Sequence, residues 1–344
     1  MAGRRLSQQQ RGRIGQLQEQ RRQRLAQEEP EGEVKGAERA GEVVVRYGHH
    51  FIVAAEEREL LRCRSRANIG HPVCGDRVVW QQSADDEGVI VALLPRSSVL
   101  ARPDFSGREK PLAANIDQLI ILIAPQPEPV DYLIDQYLLS AEIMGVNPTL
   151  AINKIDLLGE GEGEAAFLAR YAHYLQIGYP LITVSARLEH GLDPLRASLQ
   201  GHTGILVGQS GVGKSSLINA LLPDLEVQVG RLSAATGQGC HTTSATTLYQ
   251  LPAGGRLIDS PGVRSFRLLG LTREQLAWGF REFRHYLGSC RFANCRHDQE
   301  PGCALKEAVA AGEIHPARLQ NFLHMMREQS DGNRGGASAA GRSA

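Results

Sequence analysis

Eight consecutive residues, Gly208-Gln209-Ser210-Gly211-Val212-Gly213-Lys214-Ser215, have the spacing of a phosphate-binding loop, and Ser216 continues into a helical run. The glycines let backbone N–H groups turn inward around phosphate oxygens, and a helix start adds partial positive charge. Lys214 is placed to reach the β- and γ-phosphates and Ser215 to ligate Mg²⁺. A bare glycine turn would need no particular flanks. Here residues 204–207 read as a strand and 216–222 as a helix, the context that a phosphate loop requires.

Asn153-Lys154-Ile155-Asp156 follows another strand-like run, 148–152. A carboxylate at 156 can accept from the ring N1–H and exocyclic amine of guanine, with Asn153 near the opposite edge; adenine offers no such pair of donors. Alone, the tetrapeptide also fits an ordinary loop with an Asp that starts a helix. Ser185-Ala186, after the strand-like run 181–184, supplies backbone N–H groups to back the base. Together the two motifs predict GTP rather than ATP.

Asp259-Ser260-Pro261-Gly262 follows a short strand at 256–258 and offers a carboxylate for the Mg²⁺ shell and a Gly262 N–H that can sense the γ-phosphate. The next position, where a water-orienting Gln would be expected, is Val263. Between the phosphate loop and this motif lies Gly237-Gln238-Gly239-Cys240-His241-Thr242-Thr243-Ser244, which fits a first switch. Thr242 or Thr243 can close on Mg²⁺, and His241 is either the catalytic group that positions water or a surface loop histidine. Farther on, Cys290-x4-Cys295-x-His297-x5-Cys303 gathers three thiols and an imidazole, the donor set of a closed, structural zinc site. Cys63 and Cys74 read as ordinary structural residues.

The order of these pieces is unusual. In ordinary GTPases the phosphate loop comes first and the base reader last; here Asn153 to Asp156 and Ser185-Ala186 precede Gly208. The G domain is expected to be circularly permuted, which neighbouring termini tolerate. The chain then leaves the domain just after the second switch, so that nucleotide state can reposition whatever follows Arg267.

The elements that must hold these motifs set the domain plan. At 344 residues the chain is long enough for two or three domains. Residues 1–41 are rich in Arg, Gln, Glu and Gly without apolar periodicity, the composition of a disordered extension that is either merely solvated or a basic arm for RNA phosphates. Strand-like runs at 42–47, 50–55, 59–64, 76–81 and 88–93 predict a small β-barrel over 42–100, of the oligonucleotide-binding (OB) or the SH3-like kind. Residues 103–111 read as turn-rich. From 112 to 270, strands at 117–124, 148–152, 181–184 and 204–207 alternate with helices at 130–144 and 164–176, as a parallel α/β sheet demands. Residues 271–329 read as a helical zinc-binding domain, with Arg281, Arg284, Arg291, Arg296, Lys306 and Arg318 forming either a solvated or an RNA-contacting face. Residues 330–344 read as a disordered tail.

Lys+Arg and Asp+Glu both number 38, so net charge gives no argument for nucleic-acid binding. No apolar run approaches the roughly 20 residues of a spanning helix, and the Arg/Gln-rich start does not resemble a secretory signal; a cytoplasmic monomer with no membrane partner is the expectation.

With a barrel, a permuted G domain and a Cys-Cys-His-Cys helical module in this order, the sequence resembles the ribosome small-subunit-dependent GTPase A family over about residues 43–327. The resemblance implies an OB barrel and a late-acting assembly factor that binds the small (30S) ribosomal subunit. Its GTP hydrolysis to GDP and phosphate would be stimulated by that subunit and coupled to release. It further implies rRNA contacts by the barrel and zinc module, and places His241 where a catalytic histidine is proposed. Ser244 departs from the pattern, standing where a third Thr is common. A competing reading is a nucleotide-gated RNA-binding protein that acts on non-ribosomal RNA.

Overall fold

The computed structural model describes residues 36–55, 59–83, 87–103, 109–159, 161–188, 190–236, 246–260 and 270–340. Its first five strands are β1 (Arg39–Tyr47), β2 (His50–Ala54), β3 (Leu60–Ser65), β4 (Arg77–Gln82) and β5 (Gly88–Leu93). Their inward set Val43, Phe51, Val53, Cys63, Val78, Trp80 and Ile90 fills the interior. The ring closes in the order β1-β2-β3-β5-β4 and back to β1, with β3 and β5 parallel. That Greek-key closure selects the OB architecture over the SH3-like alternative. It also moves the barrel's start. Arg39 to Glu42 pair with β4 from Trp80 to Arg77, so residues expected to belong to the disordered extension are strand, ordered by ladder hydrogen bonds that apolar periodicity does not report.

The turn-rich stretch after the barrel holds a hairpin, β6 (Val99–Pro103) with β7 (Glu109–Ala114). The Ala114 N–H ties the hairpin to the segment before β4 by donating 3.0 Å to the Cys74 carbonyl, and just ahead of it buried Asp76 takes two bonds of 2.7 Å from the Arg96 guanidinium and one of 2.7 Å from the Val73 N–H.

The G domain follows as β8 (Gln118–Ile123), α1 (Asp131–Met144), β9 (Asn147–Ile152), α2 (Glu162–Arg170), α3 (Ala172–Gln176), β10 (Leu181–Thr183) and α4 (Asp193–Leu199). It is completed by β11 (Thr203–Gly208), α5 (Lys214–Leu221), α6 (Leu225–Thr236), β12 (Thr246–Gln250) and β13 (Arg256–Asp259). The single helix expected over 164–176 is two, parted at Tyr171, whose backbone leaves the helical region at φ −105° and ψ 4°. Strand order is β10-β9-β8-β11-β13-β12, parallel except for β12. The phosphate-loop strand β11 therefore lies at the centre, beside β8 from earlier in the chain and β13 from later, and α4 is the join made by the permutation. Strand β1 also pairs with β12, Val45 opposite Thr247, so barrel and G domain share one continuous sheet. A bulge between Val43 and Val45 allows this: Val43 stays in the barrel interior while Val44 and Val45 join the G-domain core.

The C-terminal domain contains α7 (Arg273–Trp278), α8 (Ala304–Ala310) and α9 (Pro316–Ala340). Helix α9 continues to Ala340, through most of the residues expected to be a disordered tail. The Gly/Ser/Ala composition suggested a tail, but residues 330–340 hold no proline and the hydrogen-bonded turns of a long preceding helix can propagate into them. The core of this domain, which includes Phe280, Phe283, Ile314 and Phe322, takes in Leu139 from α1.

That shared helix is also the site of a buried polar joint. Arg318, 1% exposed, donates to Asp135 Oδ1 (2.6 Å) and to both oxygens of Glu282 (2.6 and 3.1 Å), while Tyr174 and Asn321 donate to Asp135 (each 2.7 Å). The domain is thus not hung only on the segment after the second switch motif; it is keyed to the body of the G domain. Replacing Arg318 with Met is expected to cost about 3–5 kcal/mol, because two buried carboxylates lose their counter-charge. Urea unfolding of the full chain measures this, and a loss below about 1 kcal/mol would show that the joint does not hold the domains together.

Candidate functional site

Strand β11 is buried along its whole length. Parallel neighbours on both sides and helices on both faces demand that, and they fix where its C-terminal end delivers the phosphate loop. Two glycines of the loop are required sterically. A Cβ on Gly208 (φ +143°) would lie 2.3 Å from the Leu122 carbonyl oxygen, and one on Gly213 (φ +99°) 2.4 Å from Asn153 Nδ2. The second contact matters most, because Asn153 Nδ2 donates 2.8 Å to the Val212 carbonyl. The base-reading and phosphate-binding motifs, written far apart in the chain, are therefore in direct contact.

Asn153 is 3% exposed and its Oδ1 has no partner, a buried acceptor of the kind that a ligand or water satisfies. Lys154, in the left-handed region at φ 60°, donates 2.8 Å to the Gln126 carbonyl and 2.7 Å to that of Gly211. Ile155 and Asp156 lie on a short 3₁₀ turn, with Ile155 packed against the G-domain core. Asp156 Oδ1 accepts a 2.7 Å bond from Ser185 Oγ, which itself accepts from the Arg187 N–H at 3.1 Å. The Ser185-Ala186 pair was expected to act through its backbone; the structure adds that the Ser185 hydroxyl orients the carboxylate.

Lys214 Nζ donates to the carbonyls of Gly208 (2.7 Å) and Gln209 (2.6 Å), which hold the ammonium group at the loop. Ser210, Ser215 and Ser216 are exposed at the loop and the first turn of α5. Asp259 ends β13, next to the pair Ile205–Ile258 that sets the register with β11. Thr246 and Ser260 share a 2.9 Å hydroxyl bond, so the two segments that lead to the switches begin side by side. His241, Thr242, Thr243 and Gly262 lie outside the described residues.

Three contacts around the loop were not singled out in the sequence. Val130 N–H donates to Gln209 Oε1 at 3.2 Å, and the buried Tyr137 hydroxyl is hydrogen-bonded to the Gly208 backbone. Both tie the loop to α1, the helix that carries Asp135 and Leu139 of the joint. The third is the Ser185–Asp156 bond. A tyrosine and an acid within an apolar helical run are the only signals that could have pointed to α1.

The second site is in the C-terminal domain. The ligand atoms of Cys290, Cys295, His297 and Cys303 all lie within 4.8 Å of one another. His297 Nδ1 is 3.5 Å from Cys290 Sγ and 3.4 Å from Cys303 Sγ, close to the edges of a tetrahedron with bonds of about 2.0–2.3 Å to a central ion. His297 takes a left-handed backbone (φ 63°), rare for histidine, and its own N–H donates to Cys295 Sγ at 3.4 Å. The Ala304 N–H donates to Cys290 Sγ at 3.4 Å. Burial first, and the neighbouring thiols second, push the Cys303 thiol up to about 11 and that of Cys295 upward, and burial with the nearby Arg273 charge lowers His297. A divalent cation at the centre reverses the preference of the thiols, favouring thiolates, so the donor set fits a metal ion.

The sequence profile of the RsgA GTPase family matches residues 93–269. A protein of Azotobacter vinelandii named "Small ribosomal subunit biogenesis GTPase RsgA" is 48% identical over 336 residues, which cover 95% of this chain and 98% of that one. Among solved structures, YloQ, described as a circularly permuted GTPase, aligns with a TM-score of 0.67 at 29% identity, covering 86% of this chain and 96% of its own. YjeQ from Thermotoga maritima aligns with a TM-score of 0.69 at 31% identity, covering 85% of this chain and 99% of its own. The similarity extends well beyond a phosphate loop to the permuted order and nearly the whole length, and the chain belongs to the RsgA GTPase family of GTP hydrolases.

Proposed function

We propose that this GTPase acts in late maturation of the small ribosomal subunit, in the cytoplasm and as a monomer, with hydrolysis stimulated by the subunit and coupled to release. The relative from Azotobacter vinelandii carries that subunit in its name, and the similarity spans both chains almost completely. The observation that carries the nucleotide half is the Asn153–Val212 bond, which makes one site of the base reader and the phosphate loop. In that site Asp156 accepts from guanine N1–H and the exocyclic amine, held by Ser185 and backed by Ala186. Lys214 and the N–H groups from Gly208 to Ser216 take the phosphates, and Gly262 senses the γ-phosphate. Ser215, Asp259 and Thr242 or Thr243 are the residues that would hold Mg²⁺, which when bound offsets charge on the phosphate oxygens. His241 positions the attacking water. The Cys290, Cys295, His297 and Cys303 set holds one structural Zn²⁺, and the barrel and zinc domain contact rRNA.

The test is GTP turnover with and without purified small subunits, for the parent and His241→Ala. Turnover of the parent is expected to rise strongly with subunits. The variant is expected to lose about 100-fold of the stimulated rate, the scale of a lost acid–base or water-positioning group, with GTP affinity intact. A parent rate indifferent to subunits would remove the ribosomal reading, and equal stimulated rates would remove His241 from the mechanism.

A further inference from the structure

A cavity of about 750 Å³ opens in the C-terminal domain beside the metal-ligand cluster, away from the phosphate loop. Cys290, Cys295 and His297 form part of its wall, and Trp278, Phe292, Arg273, Glu274 and Asn294 are among the other residues that line it. Trp278 and Phe292 are among the most exposed large apolar side chains of the protein, at 55% and 42%. Each carries a guanidinium over its ring, Arg284 at 4.8 Å from the Trp278 centroid and Arg291 at 5.5 Å from that of Phe292.

The cation over Trp278 is fixed in place. Arg284 is anchored by Glu142 at 2.6 Å and donates 2.9 Å to the Trp278 carbonyl, so the cation is fixed to the backbone that presents the indole. The backbone N–H of Arg291 donates to the Gly302 carbonyl at 2.9 Å, which places the residue but leaves its guanidinium held only by the Phe292 ring. Two exposed aromatic rings, each with a guanidinium over it and one of those cations anchored, together with a further guanidinium and an amide in the same cavity, suit one class of ligand: a planar, hydrogen-bonding base between phosphates. An apolar peptide would find too much charge here, and duplex RNA would keep its bases stacked out of reach.

We infer that this cavity takes an unpaired nucleobase of RNA, stacked on Trp278 and Phe292, with Asn294 against the base edge and Arg273 on a flanking phosphate. The inference rests on the ribosomal reading above and deepens it by assigning a base-binding site to the zinc domain.

The chain has two tryptophans, and Trp80 is 2% exposed inside the barrel, so the emission change that is lost in Trp278→Ala reports Trp278. Full-length protein is titrated with labelled oligoadenylate and with a duplex of equal length, following indole emission and label anisotropy together. Single-stranded RNA is expected to quench the indole, and Trp278→Ala to weaken its binding about 5- to 100-fold, the span for loss of one stacked base. Trp278→Phe should retain most of the affinity. Basal GTP turnover and bound metal should be unchanged in both variants, which separates a lost contact from misfolding. Binding without quenching, quenching by duplex alone, or equal affinity in Trp278→Ala would overturn the assignment. So would quenching by small subunits but by no RNA probe, since the occupant would then be a protein segment. Subunit-stimulated turnover of the parent is measured in parallel: its absence sinks the ribosomal reading, whereas intact stimulation with unaltered RNA binding in Trp278→Ala sinks this site alone.

Discussion

Asp156→Asn is expected to weaken GTP binding about 100- to 1,000-fold, because a charge-assisted acceptor is lost and an amide donor then faces the donors of guanine. The direction follows from the geometry. Ser185 Oγ donates to Asp156 Oδ1 at 2.7 Å, and this bond holds one carboxylate oxygen in place. An asparagine keeps the shape but offers one acceptor and one donor. Xanthosine triphosphate, with an acceptor at C2 where guanine has an amine, matches that mixed edge and should gain affinity as GTP loses it. Calorimetry with both nucleotides reads the exchange, and an unchanged preference for GTP would mean that Asp156 does not read the base. Because Asn153 bonds Val212 directly, loss at the base is expected to leave the phosphate contacts of Lys214 in place, so residual binding should still depend on the triphosphate.

Removal of the metal should have the larger structural effect. Chelation, or Cys295→Ser, is expected to remove about 10 kcal/mol or more from the C-terminal domain, the scale of structural zinc in small modules. Four ligands stand within a few ångströms in a core built mainly on Phe280, Phe283 and Phe322, and without the ion the buried thiols and imidazole have no shared counterpart. The domain should lose protection from protease while the G domain stays folded. Since α1 contributes Leu139 and Asp135 to the joint and also contacts Gly208 and Gln209, GTP affinity should fall by a few-fold as well. Metal analysis, limited proteolysis and nucleotide titration on one sample test the chain of effects. A metal-free domain as protease-resistant as the loaded one would rule out a structural role for the ion.

The contrast between the two sites shows how coupling is built here. Sequence order suggested that the C-terminal domain hangs on the second switch. The structure adds a buried Arg318 between Asp135 of α1 and Glu282 of the C-terminal domain. The C-terminal domain thus has two links to the G domain, the chain itself after Asp259 and the joint on α1. Arg318→Met separates them.

Legibility followed the range of the interaction. The phosphate loop, the base reader and the Cys/His spacing were readable because each is contiguous and its chemistry depends on a few neighbouring residues. The five barrel strands were readable as short β-type runs between turn residues, and most G-domain elements as buried apolar runs or helical periodicity. Helix α6 and strand β12 were not, since they flank a segment whose glycines and hydroxyls read as a switch loop. The hairpin β6–β7 was hidden by Pro103 and Pro111, which mark turns but are tolerated in a two-stranded ribbon with free edges.

By itself the sequence determined the ligand class, the donor set for a metal and the permuted order of the motifs, because each is a property of residue type and spacing along one stretch of chain. Only the tertiary structure decided that β3 pairs with β5 to close an OB barrel, that β1 continues into the G-domain sheet, and that Ser185 aims Asp156. It alone brought Arg318 to Asp135 across 183 residues. Those pairings depend on register and burial between distant segments, and neither periodicity nor composition carries that information.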